Sequence, residues 1–117
     1  MIDTQTVSRV TAMCVLLLAA VLEAGGDALV RQGLHAPALA ARLALFALGG
    51  VVLFSYGYVV NLPGWDFGRL LGVYLVFFFL VAQAIAWLVY GQLPSRPLLV
   101  GGALIVAGGA IISIWPQ

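Results

Sequence analysis

Two carboxylates and an arginine follow one another at four-residue intervals in the stretch LEAGGDALVR, residues 22–31. If this stretch is helical, Glu23, Asp27 and Arg31 share one face. The preceding residues, 10–22, carry no charge, which indicates a helix inside a membrane. An acid in such a helix costs at least roughly 2.5–3.5 kcal/mol to insert and usually faces a protein interior or a water-filled path.

Glu23 is the main candidate because it lies near the middle of this apolar segment. Burial disfavours the charged form of a carboxyl group, so that a buried carboxyl group can exchange a proton near neutral pH. Such a group suits a proton-coupled site, and a protonated, purely structural residue is the alternative. For Asp27, about 6 Å further along the helix, an ion pair with Arg31 is favoured over a second binding carboxylate. Gly25 and Gly26 are predicted to open space beside the carboxylates, either for the close approach of another helix or for a ligand.

Aromatic side chains in two later apolar segments could complete a site for an organic cation. Tyr56 lies in the second segment, and Tyr74 and Trp87 lie in the third. Aromatic faces attract organic cations, while a carboxylate supplies the counter-charge. An aromatic belt at the membrane surface is the alternative, and it accounts better for three other residues: Trp65, Tyr90 and Trp115.

The elements that must position these residues are membrane-spanning helices. Of the 117 residues, 64% are hydrophobic and 8% are charged, whereas soluble domains carry roughly a quarter charged residues. Each span needs about 20 apolar residues. The sequence therefore predicts an all-α integral membrane protein, a single domain over residues 1–117, with helices at about 10–31, 39–61, 70–90 and 97–115.

The fourth predicted helix carries no charge and contains two pairs of glycines. Gly101 and Gly108 are seven residues apart, as are Gly102 and Gly109. This spacing keeps each pair on nearly one face, with a drift of about 20°, and small residues let membrane helices approach closely. All four glycines are predicted to form a dimer contact, and packing within one chain is the alternative.

Several classes of function lack the residues that they need. Cys14 is the single cysteine and His35 the single histidine, so neither a metal site nor a cofactor is predicted. No Ser/His/Asp set or phosphate loop supports an enzyme, and a net charge of +1 gives no sign of nucleic-acid binding. A cleaved signal peptide is not expected, because no strongly basic segment precedes the first apolar run.

The arginines give almost no preference for one orientation in the membrane. With four spans, two arginines lie on one side, Arg9 and Arg69, and three lie on the other, Arg31, Arg42 and Arg96. The positive-inside rule compares such counts. Either another feature sets the orientation, or the chain inserts both ways and pairs with an inverted copy of itself.

Taken in order, these segments resemble the small multidrug resistance superfamily of bacterial proton-coupled exporters over nearly the whole chain. Leu22-Glu23, Gly26 and Arg31 resemble its first-helix motif, and Leu62-Pro63 its motif before the third helix. Later in the chain, Tyr74 lies seventeen residues before Gly91, at a position where drug exporters of the family carry a tryptophan, and Trp87 matches a second tryptophan of theirs. Gly91-Gln92 is similar to their Gly-Gln or Gly-Glu turn, and Leu104-Ile105-Val106-Ala107-Gly108 resembles their fourth-helix signature.

Departures from that pattern resemble one branch, the YnfA-like (UPF0060) proteins. Gly68-Arg69 precedes the aromatic Tyr74, and the link NLPGWDFGR is longer than in drug exporters. Leu71 occupies the place of a family tyrosine. Asp27 stands where relatives have a small or hydroxyl residue, which adds negative charge to the site.

The resemblance implies an antiparallel, dual-topology homodimer in the bacterial inner membrane, with both Glu23 side chains facing one chamber. Its partners would be a second copy, the lipid bilayer, protons and small organic or drug-like cations, exchanged by alternating access. Two other functions stay open: a non-transporting membrane subunit of a larger complex, and a subunit of a lipid-carrier flippase.

Overall fold

The computed structural model describes residues 4–115, which form four α-helices and no strand. Helix α1 is Thr4–His35, α2 is Leu39–Val60, α3 is Phe67–Tyr90 and α4 is Arg96–Ile114. The shortest, α4, has 19 residues and is about 29 Å long at 1.5 Å per residue. All four are long and apolar enough to cross a membrane, which confirms the predicted four-helix, all-α membrane protein.

Short links join the helices, so that consecutive helices run antiparallel. Residues in the link between α3 and α4 cap the helix ends. At the end of α3, Gly91 has a φ of +66°, a left-handed conformation that favours glycine. The amide of Gly91 donates to the carbonyl of Trp87 (3.1 Å) and that of Gln92 to the carbonyl of Ala86 (2.9 Å), so two carbonyls near the end of α3 are satisfied. Ser95 caps α4, its Oγ accepting from the amide of Leu98 at 3.4 Å.

Helices α1 and α2 pack closely because glycines face each other across their contact. A Cβ placed on Gly49 would lie 2.8 Å from Val30 Cγ2 and 3.2 Å from the carbonyl oxygen of Gly26, and one placed on Gly26 would lie 2.8 Å from the Leu53 side chain. Of the two predicted uses of the space at Gly26, the structure therefore shows the close approach of a helix, because α2 fills that space. A Cβ placed on its neighbour Gly25 would have no atom within 4 Å.

The buried core lies mainly between α1 and α3. Small side chains of α1 let the two helices approach, and larger ones fill the gap. The cluster comprises Leu16, Ala19, Ala20, Val60, Leu70, Val73 and Tyr74. Most other large apolar side chains are exposed on the outside of the bundle, where lipid or a second chain would cover them.

Helix α4 packs against α3, and this contact uses one of the two glycine pairs. A Cβ on Gly102 would lie 2.6 Å from the Phe79 ring, and one on Gly109 would collide with Val76. The predicted dimer contact through Gly102 and Gly109 is thus wrong, since adjacent helical residues point about 100° apart and this pair faces α3. The other pair, Gly101 and Gly108, has open space around it.

Candidate functional site

The structure brings Glu23 of α1 and Tyr74 of α3 into direct contact. The Tyr74 hydroxyl donates a hydrogen bond to Glu23 Oε1 at 2.8 Å. Tyr74 is 3% exposed and belongs to the core, while Glu23 is half-buried. The phenol therefore holds one carboxylate oxygen in a fixed position at mid-span, although 51 residues separate the two side chains in sequence.

Two further aromatic rings surround Tyr74. The Tyr56 ring, from α2, lies 5.6 Å from the Tyr74 ring, centroid to centroid. The Phe78 ring lies 6.2 Å from it in a stacked arrangement. Both distances fall in the range in which aromatic pairs attract one another. Side chains of three helices thus meet around Tyr74, and the predicted site residue Tyr56 lies next to the tyrosine that holds Glu23.

Asp27, one turn after Glu23, is exposed and lines a cleft of about 250 Å³ between α1 and α3. Small side chains on both helices keep this cleft open, and a few larger ones line its walls and its mouth. The lining includes Ala24, Ala28, Ala82, Ala86, Phe78 and Tyr90. Since Phe78 also touches Tyr74, the cleft leads from the end of α3 towards the Glu23–Tyr74 pair.

Within residues 4–115, Asp27 and Arg31 do not form the predicted ion pair. Instead, the Arg31 guanidinium carbon lies 5.3 Å from the centroid of the Tyr90 ring, a cation–π contact across the cleft mouth. Both side chains are on one face of α1, but the long arginine reaches over to α3. Asp27 is left facing the cleft, and the buried Tyr90 hydroxyl has no hydrogen-bond partner within residues 4–115.

Trp87 lies away from Glu23 in the single chain. Its side chain is 57% exposed and does not line the cleft. Thirteen residues separate it from Tyr74, a rotation of about 220° around α3, so the two side chains point to nearly opposite sides. The prediction that Trp87 shares a site with Glu23 therefore requires a second chain.

Sequence reasoning missed Phe78 and the contact between Arg31 and Tyr90. Phe78 follows Tyr74 by four residues and so shares its helix face, which is a usable signal. The arginine contact joins the end of α1 to the end of α3, and no spacing within either helix reveals it. Among the described residues, no three His, Cys, Asp or Glu side chains come together, so the site's chemistry is that of carboxylates, phenols and aromatic faces.

Comparison with known proteins agrees with this architecture. The chain is 36% identical over 104 residues to a UPF0060 membrane protein of Saccharopolyspora erythraea, an alignment that covers 86% of this chain and 90% of the relative. No protein-family model matches the chain. No solved structure matches it either. The identity and coverage confirm the branch predicted from the motifs, and the chain belongs to the UPF0060 family of membrane proteins.

Proposed function

We propose that this protein is a proton-coupled exporter of small organic or drug-like cations, in which Glu23 binds the proton and the substrate in turn. The observation that carries the proposal is the hydrogen bond from Tyr74 to Glu23 inside the span. Ionisable residues at this depth usually mark an ion or substrate path. The aromatic rings beside the carboxylate are the partners that an organic cation requires.

The geometry of the pair suits exchange of one positive charge for another. Tyr74 occupies Oε1 of Glu23, and no described residue donates to the other carboxylate oxygen. That oxygen can hold a proton or face a cation, and one carboxylate cannot neutralise both. Binding of a cation therefore expels the proton, which couples export to the proton gradient.

We propose the cleft between α1 and α3 as the route to this carboxylate from one membrane surface, because its lining reaches Ala24 and Phe78, which lie beside Glu23 and Tyr74. Asp27 faces the cleft one turn from Glu23 and would attract a cation. At the mouth of the cleft, the guanidinium group of Arg31 already lies over the Tyr90 ring. In this scheme an arriving cation passes Tyr90 and Asp27 before it reaches Glu23.

We further propose that two inverted copies form the working transporter in a bacterial inner membrane. One chain has too few helices to enclose a path, and inverted symmetry with a mid-membrane site is common among transporters. The balanced arginine count supports insertion in both orientations. Exposed Trp87 and the open face of α4 at Gly101 and Gly108 are available to the second copy. The relative is bacterial, which supports the location.

Isoleucine substitutions at adjacent glycines of α4 separate dimer contacts from packing within the chain. We expect Gly108→Ile to weaken self-association without unfolding the chain, because Gly108 has open space around it. Gly109→Ile should instead destabilise the monomer, because its side chain would collide with Val76 of α3. Dimer dissociation in detergent and an unfolding titration measure the two effects. Unchanged self-association of Gly108→Ile would contradict the proposed seam.

The proposed function is tested by proton release from the purified, detergent-solubilised protein. A panel of quaternary ammonium cations is added in weak buffer, since these cations carry no exchangeable proton of their own. We expect at least one of them to release protons. If none does, and a different protein copurifies in stoichiometric amount after mild solubilisation, the exporter proposal is contradicted in favour of a subunit of a larger complex or of a flippase.

Tyr74→Phe is expected to weaken cation-dependent proton release. The substitution removes a hydrogen bond to the charged carboxylate, an interaction worth about 1.5–3 kcal/mol, or roughly 10- to 100-fold in apparent affinity. Titration of proton release against cation concentration measures the change. Tyr58→Phe is the matched control, because Tyr58 is 67% exposed. Equal behaviour of the two variants would show that Tyr74 does not position the carboxylate.

A further inference from the structure

A second polar cavity lies far from Glu23, at the end of the bundle where α1 and α3 begin. It has a volume of about 170 Å³ and is lined by Ser8, Arg9, Trp65 and Arg69. Ser8 and Arg9 belong to the start of α1, Trp65 to the link before α3, and Arg69 to the first turn of α3. The cavity therefore places two guanidinium groups and a hydroxyl together.

Arg69 contacts two neighbouring elements, the link before α3 and the end of α4. Its guanidinium carbon lies 4.9 Å from the centroid of the Trp65 ring. One terminal nitrogen donates to the carbonyl of Ser113, near the end of α4, at 3.3 Å. The half-buried guanidinium is thus pre-positioned, and its buried Nε has no hydrogen-bond partner within residues 4–115.

Within residues 4–115, neither Arg9 nor Arg69 forms an ion pair with a carboxylate. The carbonyl of Ser113, near the end of α4, offsets only part of the positive charge of Arg69, because a helix C-terminus carries only a partial negative charge. Two like charges beside one small cavity repel each other, so an anion between them would stabilise the arrangement.

The position of the cavity identifies the anion. Arg9 and Arg69 lie near the starts of spanning helices and Trp65 lies in the link before α3, all on the same membrane side. Tryptophans at such positions mark the headgroup level. Guanidinium groups match the oxygens of a phosphate in bidentate geometry, and lipid phosphates are concentrated at this depth. We propose that the cavity binds a phosphate group, supplied by the headgroup of an anionic lipid. This site does not depend on the proposed transport function.

The test uses fluorescence quenching of Trp65 in the full-length protein. The chain has three tryptophans, and the double substitution Trp87→Phe and Trp115→Phe leaves Trp65 as the only one. The protein is reconstituted in phosphatidylcholine with rising fractions of brominated phosphatidylglycerol or, as reference, brominated phosphatidylcholine. We expect stronger quenching by brominated phosphatidylglycerol than by brominated phosphatidylcholine. This preference should fall about five-fold when one arginine is lost, because each basic residue near an anionic membrane surface increases binding by about that factor.

Arg9→Gln is the principal variant, because Arg9 is exposed and its loss should leave the fold intact. Arg69→Gln is the second variant, and Arg96→Gln, an arginine outside the cavity, is the matched control. Reversal of quenching by millimolar inorganic phosphate would support phosphate binding but assign it to the free ion. An unchanged preference for phosphatidylglycerol in both Arg9→Gln and Arg69→Gln would overturn the proposal.

Discussion

Glu23→Gln is expected to abolish proton-driven cation transport, with a loss of at least about a hundredfold. An ion pair at about 4 Å contributes roughly 4 kcal/mol at an effective dielectric constant of 20, or close to a thousandfold in affinity. Glutamine keeps the size of the side chain, and its carbonyl oxygen can still accept from Tyr74, so the fold should persist. The measurement is cation flux in proteoliposomes under an imposed pH gradient, with the cation that releases most protons from the wild type.

Asp66→Asn provides the matched control for the loss of one carboxylate. Asp66 is exposed at the start of α3 and its side chain makes no capping hydrogen bond. Substitutions at such surface positions usually change stability by less than about 0.5 kcal/mol, so flux should stay within about twofold of the wild type. Full proton-driven flux in Glu23→Gln would sink the proposal that this carboxylate is shared by proton and substrate.

Gly49→Leu is expected to destabilise the protein by about 1–3 kcal/mol or more, as overpacking of close contacts does. A Cβ at this position would lie 2.8 Å from Val30 Cγ2 and 3.2 Å from the carbonyl oxygen of Gly26. The side chain of Val30 can rotate, but the backbone of α1 can only move as a helix. An unfolding titration in detergent micelles measures the loss of stability.

Gly50→Leu is the neighbouring control. Gly50 is exposed, and no atom lies within 4 Å of a Cβ built on it. Its substitution should change the unfolding free energy by less than about 0.5 kcal/mol. Similar destabilisation by both leucines would mean that α1 and α2 do not pack through Gly49.

Much of the fold could be predicted because membrane insertion acts on the sequence directly. A run of about 20 apolar residues is both necessary and nearly sufficient for a spanning helix, so the four helices follow from the lengths of the apolar runs. The extra turns of α1, which starts at Thr4 and ends at His35, could not be predicted in this way, because polar helix ends lie beyond the hydrocarbon and leave no hydropathy signal.

The partners of individual residues were harder to predict. All four glycines of α4 have the spacing of a helix contact, yet only the structure shows that Gly102 and Gly109 face α3 while Gly101 and Gly108 do not. A periodic pattern defines a face of a helix but not its neighbour. For the same reason the sequence left open whether Gly26 faces a ligand or another helix, and the structure packs it against α2.

The sequence by itself determined the class of this protein, its four helices, its family and the unusual acid at position 23, because the cost of placing charge in hydrocarbon makes Glu23 conspicuous. Only the tertiary structure decided which side chains meet that acid. Tyr74 donates to it from α3 and is itself flanked by Tyr56 of α2, while the Arg31 side chain contacts the ring of Tyr90 and forms no ion pair with Asp27. Such contacts depend on how helices rotate and cross, which close packing sets through residues far apart in the chain.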